Sequence, residues 1–327
     1  MKKNLCENNY CPPGKIIWDT WFLKTNKVCH AFYLQSKNKD AYQEFKLAHI
    51  SIGHAISSDG LKNWKELAPA LLPSWRDTWD NLSLWSGSVI EKGGLNYLFY
   101  TGRSKNSGRR WVRKIGLATS QDLMSWRRHE GNPILEVDGR YYDVNNRRNA
   151  LGNTGSWRDP FVFEHPTNGK YYMTITARTN KSRAIYNGCV GIAESEDLIH
   201  WNVLPPIFAP GLYDEIEMTQ IVFYDNKFYL FFSTHDRDYE PVFARKTGAV
   251  TGLHCYVADD LFGEYKPVNG NGIVYSDGHA IYSMRILKDG NGFIGIGWNY
   301  KNKKGKFVGG LTNTVKVTIK GYKITIK

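Results

Sequence analysis

The chain has 327 residues, of which 42 % are hydrophobic and 14 % aromatic, and its formal net charge at pH 7 is +12. This composition provides apolar material for a large core and excludes an intrinsically disordered chain. The N-terminal segment MKKNLCENNYCPPGKIIW has no apolar run, so it predicts neither a secretory signal nor a membrane span, and we expect a cytoplasmic protein without a membrane partner.

An apolar, aromatic-rich strand recurs five times along the chain. The five copies begin at Val28, Tyr97, Tyr171, Phe228 and Phe293. A hairpin strand precedes each copy, and a strand with a Ser/Asp turn follows the first four. Four strands repeated five times are typical of a five-bladed β-propeller. We therefore predict an all-β fold, with residues 1–327 forming one propeller domain whose last blade is completed by the C-terminal segment TVKVTIKGYKITIK or by the N-terminus. A β-sandwich is the alternative, but it gives no reason for the repeat.

Three carboxylates precede the aromatic strands of the first, third and fourth repeats. Asp19, Asp159 and Glu217 lie nine, twelve and eleven residues before those strands, and Trp85 lies twelve before the second. The first strands of propeller blades line the central channel, so we expect these side chains to meet at one mouth. Burying three acids without a function would be costly, which favours a joint active site.

Grouped carboxylates suit glycoside chemistry. In retaining enzymes two carboxyl groups about 5–5.5 Å apart serve as nucleophile and acid/base, and a third can bind sugar hydroxyls. Crowding should raise the pKa of one of them, as a general acid requires.

Four motifs around these residues resemble those of glycoside hydrolase family 68, the levansucrases and inulosucrases. They are WDTW at 18–21, WSGS at 85–88, WRDP at 157–160 and DEIE at 214–217. The RDP and SGS elements are shared with the related invertases. The resemblance implies that Asp19 is a nucleophile forming a fructosyl-enzyme, Asp159 stabilises the transition state, and Glu217 is the acid/base. It also implies that five residues bind the fructosyl unit or orient the acid/base: Trp18, Trp85, Ser86, Arg158 and Glu215.

The expected activity is therefore transfer or hydrolysis of a β-fructofuranosyl unit with retention, using a carbohydrate donor and acceptor and no nucleic acid. The family arginine after the acid/base glutamate is Met218 here, so fructosyl transfer is better supported than sucrose as the donor. Two alternatives stay open. One is an inverting furanosidase of the arabinanase-like propellers, in which an aspartate activates water. The other is a propeller that binds sugar without turning it over.

The loop after the second aromatic strand, RSKNSGRRWVRK, contains six basic residues and no acid. Arg103, Arg109, Arg110 and Arg113 are candidates for a basic rim that attracts an anionic sugar donor or acceptor, and a solvated loop is the alternative.

Neither a cofactor nor a metal is expected. The histidines lack metal-ligand spacing, and the five cysteines form no CxxC pair, which favours free thiols. A structural Ca²⁺ held by the acidic loop 236–240 stays open. His235 and Arg237 could face the leaving group, but their position in this loop favours a surface location.

Overall fold

A computed structural model describes residues 9–25, 28–37, 49–107, 112–145, 149–153, 156–180, 185–278, 281–302 and 304–327. These residues form five antiparallel sheets, which are the blades of a five-bladed β-propeller, as the sequence predicts.

The strands follow one another from the inner to the outer edge of each blade. Blade 1 contains β1 (Ile16–Lys24), β2 (Cys29–Ser36), β3 (Ser51–Ser57) and β4 (Lys65–Glu66). Blade 2 contains β5 (Ser83–Lys92), β6 (Leu95–Arg103), β7 (Lys114–Ser120) and β8 (Arg127–Arg128). Blade 3 contains β9 (Trp157–Glu164), β10 (Tyr171–Arg178), β11 (Gly188–Ser195) and β12 (Asn202–Phe208).

Blade 4 contains β13 (Glu217–Tyr224), β14 (Lys227–Thr234), β15 (Gly252–Ala258) and β16 (Lys266–Pro267), and β17 (Ile273–Tyr275) also pairs with β15. Blade 5 contains β18 (Ile281–Asp289), β19 (Gly292–Asn299), β20 (Val315–Lys320) and β21 (Lys323–Ile326). The C-terminal segment thus completes the last blade. One short α-helix, α1 (Pro241–Thr247), lies between β14 and β15, and short 3₁₀ helices span Lys105–Ser107, Asp236–Asp238 and Val268–Gly270.

The five aromatic strands of the sequence are the second strands of the blades. Every residue of β2 and β10 is buried, because both faces of these strands are covered by neighbouring blades. They therefore read as continuous apolar runs and not as alternating ones. Trp126 of blade 2 packs edge-on against Phe32 of blade 1, with ring centroids 5.7 Å apart, and Trp201 meets Phe99 in the same way. These two tryptophans therefore pack between neighbouring blades.

Each first strand has a β-bulge near the start, at the same place in all five blades. One extra residue enters the pairing with the second strand after each of Trp18, Trp85, Arg158, Glu217 and Tyr282. Four of the residues that follow these positions have positive φ: Asp19 at 39°, Asp159 at 58°, Met218 at 53° and Ser283 at 48°. Such backbone costs roughly 1–3 kcal/mol at a non-glycine residue and is found preferentially at functional sites. The bulges bend the strands and direct these side chains into the channel.

Hydrogen bonds between blades fix the ring. The Asp159 N–H donates to Thr101 Oγ1 at 3.0 Å, and the Val162 N–H donates to Ser88 Oγ at 3.0 Å, both joining blade 3 to blade 2. The Gly310 N–H donates to the Ile17 carbonyl at 2.9 Å and closes blade 5 onto blade 1.

Candidate active site

The candidate site lies where the five first strands begin, at the level of the bulges. Asp19 and Asp159 occupy the same bulge position in blades 1 and 3, and Ser86 occupies it in blade 2. Glu217 lies one residue earlier, at the position that is Trp85 in blade 2. The predicted register is therefore right for the two aspartates and one residue off for the glutamate. Counting back from the aromatic strands concealed this offset, because the intervening hairpins differ in length.

Asp19 is partly exposed at the mouth of the channel. The Ser86 hydroxyl donates to Asp19 Oδ2 at 2.7 Å across the junction of blades 1 and 2. Burial, followed by the charge of Asp159, raises the pKa of Asp19 to about 7, although the Ser86 bond and the charge of Arg285 act in the other direction. Asp19 therefore holds a proton in much of the protein at neutral pH.

Asp159 is only 4 % exposed and lies deeper. Its Oδ2 is 3.4 Å from Nε of Arg158. Burial raises the pKa of Asp159, and the charge of Arg158 opposes this. An acid held at this depth is suited to bind sugar hydroxyls.

Glu217 is held from both sides. Arg158 donates to its Oε1 at 2.6 Å, the Tyr282 hydroxyl donates to its Oε2 at 2.5 Å, and Nε2 of His235 lies 4.0 Å from Oε2. Burial would raise the pKa of Glu217, but Arg158, His235 and Tyr282 together lower it to about 2. The sequence predicted a raised pKa for the general acid. The pKa values of the two aspartates rise instead, mainly through burial, whereas Glu217 has a cationic partner in contact.

Arg158 connects the two glutamates of the DEIE motif. Its guanidinium donates to Glu215 Oε2 and Glu217 Oε1, both at 2.6 Å, and to Ser156 Oγ at 2.8 Å. Glu215 also accepts from Arg178 at 2.7 Å. Glu215 thus orients Arg158, and Arg158 orients Glu217.

The two tryptophans assigned to sugar binding differ in access. Trp18 is only 3 % exposed and packs edge-on against Phe307, with ring centroids 6.1 Å apart. Trp85 is partly exposed, and its indole N–H donates to Ser83 Oγ at 3.0 Å. Of these two rings, Trp85 has the larger surface available to a sugar.

His235 does not lie on the surface, so the favoured sequence interpretation was wrong. Its ring stacks on Tyr282 at a centroid distance of 4.5 Å and an angle of 7°, beside Glu217. Burial lowers the pKa of His235 to about 4, so the imidazole is neutral at physiological pH. Arg237 is mostly exposed, in contrast.

Arg103 and Arg113 lie in the wall of the site. Arg103 is 4 % exposed, and burial lowers its pKa to about 10. Burial, followed by the charges of Arg158 and Arg103, lowers the pKa of Arg113 to about 9. Arg103 and Arg113 were expected at an outer rim, but they form a cationic part of the wall instead. Arg109 and Arg110 lie outside the described residues.

Sequence reasoning missed Tyr282 and Arg285. Tyr282 was detectable, because it lies eleven residues before the fifth aromatic strand and shares the register of Trp18 and Glu217. Within the described ranges, no three His, Cys, Asp or Glu side chains are grouped so as to hold a metal ion. In the acidic loop, Asp236 accepts from the Thr251 hydroxyl and Asp238 from Asn153.

Two family models match overlapping parts of the chain. The model of the glycosyl hydrolases family 32 N-terminal domain matches residues 20–203, and the family 68 model, levansucrase/invertase, matches residues 178–327. A levansucrase of Pseudomonas savastanoi pv. glycinea is 26 % identical over 266 residues, covering 70 % of this chain and 60 % of that protein. An extracellular sucrase of Zymomonas mobilis is 26 % identical over 355 residues, covering 94 % and 83 %. The chain spans little more than half the length of several of the Pseudomonas levansucrases that it matches.

The predicted cytoplasmic location is contradicted by the Zymomonas mobilis relative, which is similar over nearly the whole chain and is extracellular. The prediction depended only on the composition of the first residues, and that composition does not determine the location. No helix among the described residues is long and apolar enough to cross a membrane.

Solved structures resemble the propeller over almost its full extent. The inulosucrase from Halalkalicoccus jeotgali bound to kestose superimposes with a TM-score of 0.78 at 25 % identity and covers 98 % of this chain and 88 % of its own. The levansucrase of Bacillus subtilis, at 20 % identity and a TM-score of 0.76 with the same coverage, shares the fold. The chain therefore belongs to the levansucrase- and invertase-like glycoside hydrolases, the group of families 32 and 68.

Proposed function

We propose that this protein transfers or hydrolyses the fructosyl unit of a sucrose-type β-fructofuranoside with retention of configuration. The observation that carries the proposal is that Asp19 of blade 1 and Glu217 of blade 4, both partly exposed, lie close enough for their charges to interact, and that the buried Asp159 also acts on Asp19. The levansucrase and sucrase relatives support the donor class, and the inulosucrase bound to kestose supports an oligosaccharide ligand.

The reaction has two steps. Asp19 attacks the anomeric carbon, the glycosidic bond breaks, and Glu217 gives its proton to the leaving oxygen. Glu217 then accepts a proton from water or from an acceptor hydroxyl, whose oxygen attacks the fructosyl-enzyme and releases Asp19. Asp159 accepts hydrogen bonds from the sugar hydroxyls and favours positive charge on the ring in both transition states.

The productive form requires an ionised Asp19 and a protonated Glu217, which is the reverse of the order of their pKa values. At pH values between the two apparent pKa values, Asp19 and Glu217 together hold one proton. Each apparent pKa therefore describes the pair and not a single residue. Arg158 is the main group that lowers the pKa of Glu217. A sugar oxygen that takes the hydrogen bond of Arg158 would therefore release Glu217 to be protonated.

The test is incubation with sucrose, with separate assays of glucose and fructose and NMR observation of the first anomer released. Equal amounts of the two sugars indicate hydrolysis, and glucose in excess indicates transfer. Retention of the β-configuration supports the proposal. An inverted first product would support the arabinanase-like alternative, and no turnover of any fructoside would leave a binding role.

A charged sugar is a second candidate substrate, and the wall of Arg103 and Arg113 favours it. Burial lowers the pKa of both arginines, and the charges of Arg158 and Arg103 lower that of Arg113 further, so an anion that approaches this wall is attracted to it. Arg113→Gln should raise KM for a phosphorylated fructoside at least tenfold and leave KM for sucrose within about twofold. Equal changes for the two substrates would remove the basis for this candidate. The same comparison with Arg109→Ser and Arg110→Ser tests the remainder of the predicted rim.

A further inference from the structure

Arg285 of β18 lies at the bottom of the site and belongs to none of the four sequence motifs. It is 2 % exposed. Blade 5 lies between blades 4 and 1 in the ring, so a side chain from its first strand reaches the space between Glu217 and Asp19.

The guanidinium of Arg285 binds carbonyl groups that directly follow the two carboxylates. Its terminal nitrogen donates to the carbonyls of Met218 and Thr219, both at 2.8 Å, and its Nε donates to the carbonyl of Thr20 at 3.3 Å. Thr20 follows Asp19 and Met218 follows Glu217, so each carbonyl belongs to a bulge. Bulged residues lose regular ladder partners, and the guanidinium replaces them with donors in a rigid plane.

The third carboxylate is connected to the same group. The guanidinium lies 5.5 Å from the ring centroid of Phe161, two residues after Asp159. Burial lowers the pKa of Arg285 to about 10, while the charges of Asp159 and Asp19 raise it. The residue is therefore a cation at neutral pH, and its charge acts on both aspartates.

Met218 occupies the place at which the family motif has an arginine. Its sulfur lies 4.0 Å from a terminal nitrogen of Arg285. A positive charge is thus present beside this position, but it comes from blade 5 and not from the motif itself.

We propose that Arg285 is a positioning residue that holds the bulges of Asp19 and Glu217 at a fixed separation and favours the ionised nucleophile. The proposal rests on the proposed function. It predicts two separable effects, one of geometry and one of charge. Geometry controls kcat because the reacting atoms must be aligned, and charge controls the pH at which the carboxylate pair loses its last proton.

The experiment compares Arg285→Lys with Arg285→Met, using Arg128→Met as the control. Arg128 also binds a carboxylate and a carbonyl, those of Asp80 and Leu72, but lies outside the site. Arg285→Lys should lower kcat about tenfold or more, with KM and the basic limb of the pH profile nearly unchanged. Arg285→Met should also move that limb upward by about one pH unit. Arg128→Met should leave kcat and the pH profile unchanged.

An Arg285→Lys variant with the kcat of the wild type would overturn the geometric part, and a folded Arg285→Met variant with an unshifted basic limb would overturn the charge part.

A second measurement is independent of catalysis. It compares the urea unfolding of the wild type, Asp19→Asn, Arg285→Lys and the double variant at pH 5 and 8. It also adds Arg285→Met and its double variant where they fold. Asp19→Asn should stabilise the protein more at pH 8 when Arg285 is Met than when it is Arg or Lys.

Equal effects of Asp19→Asn in the three backgrounds would contradict the charge part even in a protein without activity. If Arg285→Met does not fold, the kcat of Arg285→Lys still decides the geometric part. Absence of turnover by the wild type would overturn the proposed function alone, because the unfolding comparison does not depend on it.

Discussion

The hydrogen bond from Ser86 to Asp19 offers a sharp test of the electrostatics of the site. Ser86→Ala removes one oxygen from a fully buried side chain and leaves the bulge in place. A hydrogen bond to a charged group is worth about 1.5–3 kcal/mol. Because one pKa unit corresponds to about 1.4 kcal/mol, loss of this bond should raise the pKa of Asp19 by about one to two units from its value near 7.

The direction of the pH effect follows from the protonation states. The active form has one proton on the carboxylate pair, with Asp19 ionised and Glu217 protonated. Activity should therefore fall as pH rises through the pKa of Asp19, where the pair loses its last proton. In Ser86→Ala this basic limb should move from about pH 7 to about pH 8–9, and the plateau of kcat/KM should fall about 10- to 100-fold, because ionised Asp19 becomes rarer.

The assay is kcat/KM for sucrose between pH 4 and 9.5, and Ser88→Ala is the matched control. Ser88 is a buried serine of the same strand, and its hydroxyl accepts a hydrogen bond from the Val162 N–H outside the site. Ser88→Ala should lower the free energy of unfolding slightly and leave the pH profile of kcat/KM unchanged. A basic limb in Ser86→Ala that stays in place or moves to lower pH would refute the reasoning.

Three further predictions concern stability and packing. The folded-state pKa of Asp19 is raised above its unfolded value, so its contribution to stability is full below about pH 4 and is lost as pH rises to about 7. Asp19→Asn should therefore raise the free energy of unfolding at pH 8 by roughly 2–4 kcal/mol and much less at pH 5, measured with urea; equal gains at both pH values would contradict this. Gly87→Ala places a Cβ 1.9 Å from the Phe99 carbonyl oxygen, so this variant should have a lower melting temperature and a lower activity than the wild type. A variant with the melting temperature of the wild type would show that the backbone moves freely there. Trp126→Ala should cost about 3–5 kcal/mol by loss of packing against Phe32 and keep the KM for sucrose; a raised KM with unchanged stability would make Trp126 a sugar-binding residue.

The fold was predictable because the second strand of each blade can be recognised from its composition. Strands such as β2 and β10 are buried on both faces, and their continuous aromatic runs mark each blade once. The inner strands are less regular, since the bulges interrupt their alternation. The position of Glu217, one residue before the bulge, could not be obtained from spacing alone.

The sequence could indicate which acids belong to the site but not how their charges are balanced. Arg158, Tyr282 and His235 come from three different blades, and their contacts with Glu217 determine which carboxyl keeps the proton. Arg285 was missed for the same reason, because its partners are backbone carbonyls that no motif specifies. The side chain of Arg103 was expected at the rim and is buried, because it lies at the end of a second strand.

The central claim is that Asp19 forms a covalent bond to the fructosyl unit. The most direct test is mass spectrometry of Glu217→Gln after mixing with a β-fructofuranosyl donor whose leaving group needs no proton. The account predicts a protein heavier by one fructosyl unit, with the adduct on the peptide containing Asp19 and absent from Asp19→Asn. Turnover of the same donor without an adduct, or an adduct on a different residue, would contradict it.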